Sequence, residues 1–389
     1  MTYKENATIS TLACILQTPM LLASVMLVGA NAFVLSPILA DVAHGLSSEP
    51  FRIAWSISAF GAATAISALT LASLNDHMPA GIVLGGAAWL LAIAQALSGM
   101  SQGWIGLCLS QALAGLATGV LLPGTYATTA ATAPRGREAA RLGLVLTGWA
   151  MALVLAVPLA ALVTQHIGWR SVYALLAGMS ALIALGLLWV LKGVPRQTHA
   201  RTPPWRALRL PGVGLLLGVI FAYMTAFYGS FAFFGQGVRH AFELSAQGAG
   251  GFVMAYGLGF GMAGVGLGII APPISRSYLL AILIAIAVSY VTWGYALATP
   301  ASTLMAAFLW GLLNQLGLNA LVVSLNRRAT EARGAVMGLN SAITYSAVFA
   351  GPMMMGPVYA NGGFAAVTAL AAVFVVLGAL ASWKLRINT

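Results

Sequence analysis

The sequence predicts an all-α polytopic membrane protein, with twelve transmembrane helices in two pseudo-symmetric six-helix bundles. Hydrophobic residues form 60% of the 389-residue chain, and charged residues form only 6%. A soluble domain has about 25% charged residues, so this chain has too few polar groups to build a water-facing surface. Its charges are also grouped in short stretches between long apolar runs. These observations exclude a large soluble protein.

Twelve apolar runs of about 20 residues are each long enough to cross the hydrocarbon core of a bilayer as a helix. They lack the alternation of barrel strands, so helices are the predicted spanning element. The runs cover residues 19–40, 51–73, 80–99, 104–127, 141–165, 170–191, 211–235, 246–270, 277–298, 302–326, 334–358 and 363–384. Residues 1–191 are predicted to form one bundle and residues 211–389 the second, joined by a basic cytoplasmic linker at 192–210.

Corresponding features recur at half the chain length. Arg141 begins the predicted fifth helix and Arg333 the eleventh, and the same two helices contain Pro158 and Pro352. This order indicates a parallel repeat of six helices. Parallel repeats with a binding site near the midplane between them are one architecture of secondary transporters.

Lys and Arg residues are distributed unevenly between the two sides of the predicted membrane. With the N-terminus inside, fifteen of the 18 fall on the cytoplasmic side, and only Arg52, Arg170 and Arg239 fall outside. The positive-inside rule therefore predicts a multi-pass protein of the cell inner (plasma) membrane with both termini in the cytoplasm. The net charge of +11 is interpreted as this orientation signal. The lipid bilayer is the expected partner, and nucleic acid is not.

The sequence contains no HExxH, Walker or CxxC pattern. Enzyme activity, a cofactor and a metal site are therefore not predicted. A glycine-rich run at 257–268 has no strand before it and lies within an apolar run, so it predicts close helix packing instead of nucleotide binding. Two cysteines give no disulfide framework.

Short motifs follow one another at the predicted helix boundaries. They are 31–43 in the first helix, 74–76 after the second, 111–115 in the fourth and 168–170 before the sixth. In order and spacing they resemble the major facilitator superfamily, and within it the drug:proton antiporter-1-like branch of efflux proteins. The resemblance implies a major facilitator fold that acts as a monomer and exports a small organic solute (drug, sugar or other metabolite) by alternating access, with proton antiport. Where relatives carry a helix-4 arginine associated with proton coupling, this chain has Gln111.

Three alternatives stay open at this point. They are an uptake carrier of the same fold, an uncoupled facilitator of the same fold, and a membrane receptor that transports nothing.

Uncharged polar and aromatic side chains near the predicted midplane are candidates for the substrate site. Amides and phenols can hydrogen-bond a neutral or amphipathic solute, and indoles can cover its apolar part. The same side chains can instead bridge packed helices without contacting a ligand. The candidates are Asn31, Gln111, Trp149, Tyr223, Tyr228, Tyr256, Trp310, Asn314, Gln315, Asn340 and Tyr345.

No acid lies at the centre of a predicted span. An ionisable group there costs at least ~2.5 kcal/mol and normally marks an ion path, so a coupling group is expected near a helix end. Asp41, paired with Arg52, is the first candidate. The resemblance implies a gating role for Asp76, with a basic partner from the set Arg137, Arg141 and Arg333. The alternative for each of these residues is a solvated charge at a helix boundary.

Overall fold

The structure is a computed structural model that describes residues 2–71, 74–194, 208–270, 273–328 and 333–383. Side chains are described from residue 15 onward within these ranges, except those of residues 76, 294 and 333–335. Every regular element in this part of the chain is helical, which confirms the predicted all-α fold class.

Twelve long helices in the described ranges correspond to the twelve predicted spans, and we label them α1 to α12. Helix α1 comprises two consecutive segments, Thr2–Phe33 and Leu35–Gly45. It is followed by α2 (Pro50–Thr70), α3 (Ala80–Met100), α4 (Trp104–Ala131), α5 (Glu138–His166), α6 (Trp169–Val190), α7 (Val213–Phe242), α8 (Ala246–Ile270), α9 (Arg276–Ala296) and α10 (Pro300–Arg327). The segment Arg333–Trp383 contains the last two helices, α11 before Gly363 and α12 after it. A short helical turn, Leu74–His77, lies between α2 and α3.

Gly363 separates the last two spans. Eleven helices in the described residues are long and apolar enough to cross a membrane, and the last of them, Val336–Trp383, has 48 residues. As one straight helix it would be about 72 Å long, more than twice the roughly 30 Å of a hydrocarbon core. Gly363 breaks it with φ 65° and ψ −163°, a conformation open to glycine because it has no Cβ. The two arms therefore serve as two spans.

Residues with helix-starting chemistry stand at several of the boundaries. Pro50 and Pro300 occupy the first helical position of α2 and α10, where the missing N–H is not needed. Thr299 caps α10: its hydroxyl accepts from the Ser302 N–H at 3.1 Å, and the Ser302 hydroxyl accepts from the Thr299 N–H at 3.2 Å. Local sequence therefore determines where these helices begin.

Helices α1 to α6 pack mainly against one another, as do helices α7 to α12, and we call these groups the N-terminal and C-terminal halves. The halves meet along a seam formed by α1 with α7, α2 with α11, and α5 with α8. We call the side on which residues 192–212 connect the halves the linker face. Residues 195–207 lie outside the described part, and the predicted boundaries of the two bundles stay a prediction.

Glycines bring helices together both across the seam and within the C-terminal half. A Cβ added to Gly61 of α2 would lie 2.6 Å from the backbone nitrogen of Phe349 in α11. A Cβ at Gly257 of α8 would lie 2.7 Å from the Cβ of Leu153, in the π-helical turn Ala152–Ala156 of α5. A Cβ at Gly259 of α8 would clash with the backbone oxygen of Phe308 in α10. The close packing predicted for the glycine-rich run is confirmed at its first two glycines, whereas a Cβ at Gly266 would meet nothing within 4 Å.

Large apolar side chains cover the outside of the bundle. Ile105, Leu182 and Ile269 are 57%, 69% and 79% exposed. Such surfaces are stable when they contact lipid tails, which require no hydrogen bonds from the protein. The exposed apolar surface and the apolar helix lengths together make this a membrane-spanning protein.

Candidate functional site at the seam

An ion pair joins the two halves on the side of the seam away from the linker face. Arg239, near the end of α7, donates through both terminal nitrogens to the carboxylate of Asp41, near the end of α1. The same guanidinium donates to the carbonyl of Pro37 at 3.2 Å and to that of Leu244 at 3.2 Å. Among the acids whose side chains are described, Asp41 alone forms an ion pair. The pair links the halves at the point where they would separate to open this side.

The expected partner of Asp41 was Arg52, and this expectation is wrong in the described structure. The guanidinium of Arg52 lies 5.8 Å from the centroid of the neighbouring Phe51 ring. Arg239 is 198 residues away from Asp41 in sequence but faces it across the seam. Sequence proximity favoured Arg52, whereas the crossing of α1 and α7 determined the actual partner.

Ser36 fixes the crossing of α1 and α7 close to this ion pair. Its hydroxyl donates to the carbonyl of Phe231 at 2.6 Å and accepts from the backbone N–H of Gly235 at 3.1 Å. Both partners lie in α7, and Ser36 is only 1% exposed. A buried hydroxyl that satisfies two backbone groups of the other half sets the register between the helices.

Two predicted substrate residues, Asn31 and Gln111, lie inside the N-terminal half. The Asn31 amide donates to the Gln111 oxygen at 3.0 Å, and Gln111 donates to the Ser98 hydroxyl at 3.0 Å. Gln95 extends the network, since it donates to Asn31 at 3.4 Å and accepts from Ser180 at 2.6 Å. Helices α1, α3, α4 and α6 are thereby joined. In this state the amides bridge helices, which is the alternative left open by the sequence.

Tyr223, Tyr256 and Asn314 form a corresponding network inside the C-terminal half. The Tyr223 hydroxyl donates to the backbone oxygen of Asn314 at 2.7 Å, and the Asn314 amide donates to the Tyr256 hydroxyl at 3.1 Å. Trp310 is fully buried, with its ring centroid 4.9 Å from that of Tyr256 and 5.7 Å from that of Trp293. These four predicted site residues are core residues of the half in this state.

Trp149 and Tyr228 lie at the seam itself. Phe33 of α1 stacks on Tyr228 of α7, with centroids 6.2 Å apart and planes inclined by 10°, and contacts Trp149 of α5 edge-on at 5.9 Å. The Trp149 indole donates to the hydroxyl of Tyr126 in α4 at 2.9 Å. Tyr345 of α11 lies within electrostatic range of both Tyr126 and Tyr228. The structure thus brings together aromatic side chains from five helices and both halves.

Gln315 and Asn340 are partly buried polar residues of α10 and α11. The side-chain oxygen of each is buried without a hydrogen bond to any residue the structure describes. Both therefore retain hydrogen-bonding capacity, unlike Asn31 or Asn314.

The predicted gating residues at the linker face are described only in part. The side chains of Asp76 and Arg333 lie outside the described residues. Arg137 is exposed at the start of α5. Arg141 is part-buried, and its guanidinium donates to the Thr18 hydroxyl at 2.9 Å, to the Gln17 oxygen at 2.9 Å and to a backbone oxygen in the α4–α5 connection. Arg141 thus holds helices of one half together.

This fold agrees with the comparison against known families. The model of the Major Facilitator Superfamily matches residues 21–352. The chain belongs to the Major Facilitator Superfamily. Membership implies membrane transport of small-molecule substrates.

Relatives of this superfamily member are similar over most of its length. An uncharacterized MFS-type transporter of Bacillus subtilis, YwfA, is 31% identical over 375 residues, which cover 92% of this chain and 90% of the relative. A second from the same organism, YceJ, is 24% identical over 61% of this chain and 62% of its own length. A solved structure of a bacterial homolog of the human lysosomal transporter Spinster, inward-facing and unoccupied, superimposes with a TM-score of 0.77. At 14% identity over 95% of this chain and 96% of that chain, this likeness supports the fold alone.

Sequence reasoning missed two aromatic members of the seam, Phe33 and Tyr126. Tyr126 lies in the second half of α4, beyond Pro123, whereas the predicted site residue of this helix, Gln111, lies in the first half. A detectable signal existed, because Tyr126 is the only aromatic residue of α4 after Trp104. Phe33 follows Asn31 closely but carries no polar group, so nothing distinguished it from a core residue.

Proposed function

We propose that this superfamily member is a secondary transporter that exports a small organic solute from the cell by alternating access. The observation that carries the proposal is the seam: aromatic and phenolic side chains of both halves converge there, and an ion pair between the halves lies at one side of them. A solute held at the seam would be released to one side or the other as the halves rock about it.

Orientation and location follow the charge distribution. Fifteen of 18 Lys and Arg lie on the linker side of the predicted topology, which supports a cytoplasmic linker face and an inner (plasma) membrane location. In that orientation the Asp41–Arg239 pair closes the outer side.

Proton antiport is the proposed energy source, with Asp41 as the proton-binding group. Opening of the outer side separates Asp41 from Arg239 and exposes its carboxylate to external protons. The ion pair with Arg239 re-forms only when Asp41 is ionised, so closure of the outer side is coupled to release of the proton, and antiport requires that this release be toward the linker face. Coupling of this kind needs no acid inside a span, in agreement with the sequence.

The test has two steps. Metabolites of cells that lack the protein are compared with those of cells that overexpress it, and the solute that changes most is chosen. Its accumulation is then measured in everted vesicles energised for respiration, with and without an uncoupler. Export by proton antiport predicts accumulation that the uncoupler abolishes. Accumulation that resists the uncoupler contradicts proton coupling. The absence of accumulation in every condition favours a facilitator.

An uptake carrier and a receptor make different predictions for the same cells. Uptake predicts less solute in cells without the protein, whereas export predicts more. A receptor predicts no change in vesicle transport with Asp41→Asn, because there is no transport to lose.

A further inference from the structure

Three phenol hydroxyls converge at the seam without complete hydrogen bonding. Tyr126 of α4 is hydrogen-bonded to Trp149, and Phe33 contacts both Trp149 and Tyr228 of α7. Tyr345 of α11 contacts Phe60 of α2 across the seam, with ring centroids 6.4 Å apart, and interacts electrostatically with both other phenols. Tyr126 and Trp149 are only half-buried, although both point toward the seam and not toward lipid. Accessible aromatic surface between the halves is what a solute site requires.

Each of these hydroxyls has a hydrogen with no acceptor among the residues that the structure describes. The Tyr126 oxygen accepts from the Trp149 indole at 2.9 Å, and its own O–H hydrogen is left over. Neither Tyr228 nor Tyr345 makes a hydrogen bond to any residue in the described ranges. The contrast is with Tyr223, whose hydroxyl donates to the backbone oxygen of Asn314 at 2.7 Å. The seam therefore offers three O–H donors to a ligand.

Fixed charge is absent from the sequence around this site. Helix α4 contains no Asp, Glu, Lys, Arg or His, and neither does α7 between Val213 and Val238 nor α11 between 336 and 362. A charged solute would lose its hydration without gaining a counter-ion, which is costly in a site between membrane helices. Aromatic faces do attract organic cations. A quaternary ammonium, however, accepts no hydrogen bond and would leave all three hydroxyls unsatisfied.

Taking the proposed function as given, we infer that the substrate is an uncharged, largely apolar solute carrying oxygen hydrogen-bond acceptors, such as carbonyl or ether groups. Tyr126, Tyr228 and Tyr345 donate to these oxygens and determine specificity. The rings of Phe33 and Trp149 cover the apolar part of the solute. Tyr126 is thereby a binding residue of α4, in the helix where the sequence pointed to Gln111.

Four probes that share the same diaryl skeleton test this inference by direct binding. Benzophenone carries a carbonyl, and diphenylmethane has the same shape without it. The 4-benzoylbenzoate anion and the 4-benzoylbenzyl trimethylammonium cation add a charge of either sign. Purified protein in lipid nanodiscs is titrated with benzophenone by quenching of tryptophan fluorescence. The other three probes compete against it, and empty nanodiscs correct for partition into lipid.

Benzophenone is expected to bind more tightly than diphenylmethane by roughly 2- to 12-fold for each hydrogen bond gained. Both charged probes are expected to bind more weakly than benzophenone. The triple variant Tyr126→Phe, Tyr228→Phe, Tyr345→Phe should bring the benzophenone and diphenylmethane affinities together. Tyr173→Phe is the matched control, because it removes a buried hydroxyl that has no described partner and lies away from the seam.

Several outcomes would overturn the inference: tightest binding of the cation or the anion, equal affinity for the two neutral probes, survival of their difference in the triple variant, or no binding at all. If the triple variant unfolds, as judged by its thermal unfolding midpoint, the three single Tyr→Phe variants answer the question, and at least one must reduce the difference. Binding requires no ion gradient. If the probes bind as expected but the vesicles show no transport, the proposed transporter function is wrong. If the vesicles show transport but the probes do not bind as expected, this site is wrong.

Discussion

Replacement of Asp41 by Asn should shift the protein toward states that are open on the side away from the linker face. The side chains of Asp41 and Arg239 are 31% and 16% exposed, so the pair is neither fully solvated nor fully buried. A surface pair contributes at most about 1 kcal/mol. A hydrogen bond to a charged group contributes roughly 1.5–3 kcal/mol when it is shielded. Two N–H···O contacts at partial exposure give an intermediate value of about 1–2 kcal/mol.

This free energy corresponds to a change of roughly 5- to 30-fold in the ratio of closed to open molecules. Spin labels at Gln102 and Asn361, both exposed and located in different halves, would report the opening as a distance distribution. The two native cysteines are replaced first. The populations of the short and long distances in Asp41→Asn, Arg239→Gln and the double variant complete a double-mutant cycle.

Arg52→Gln serves as the matched control. It removes a cation from the same side of the protein but breaks no described ion pair, so its effect should add to that of Asp41→Asn. A coupling below about 0.3 kcal/mol between Asp41 and Arg239 lies within ordinary additivity and would refute the reasoning. A coupling of Asp41 to Arg52 of equal size would restore the pairing expected from the sequence.

Two further predictions concern packing and stability. Gly61→Val should prevent close approach of α2 and α11, because a Cβ there would lie 2.6 Å from the Phe349 nitrogen. The label distances should lengthen and transport should fall at least tenfold, whereas Gly86→Val, with nothing within 4 Å, should leave both unchanged. Asn314→Ala should destabilise the protein by about 1–2 kcal/mol, since it removes the amide that donates to the buried Tyr256 hydroxyl, whereas Tyr223 keeps its bond to the backbone oxygen of residue 314. Its thermal unfolding midpoint should fall while probe affinity persists, and Gln315→Ala, whose oxygen has no described partner, should change the midpoint little.

The proposed substrate site changed most between sequence and structure. The predicted list mixed two kinds of residue, because an amide that bridges helices and an amide that lines a cavity have the same identity and the same place along a helix. Asn31, Gln111 and Asn314 find partners in their own half. Trp149, Tyr228 and Tyr345 face the seam, a boundary defined only by how the two halves dock.

The sequence by itself determined the membrane class, the twelve helices and the superfamily. The first two follow from composition, run length and local helix signals, which act over one span at a time, and the superfamily was indicated by the resemblance of short motifs in their order and spacing. Only the tertiary structure decided that Asp41 pairs with Arg239 and that Tyr126 lies at the seam. Both depend on contacts between helices that are far apart in the chain. The crossing of α1 over α7 is fixed by buried contacts such as those of Ser36 with α7. The type of a residue such as serine does not indicate which distant residue it will contact.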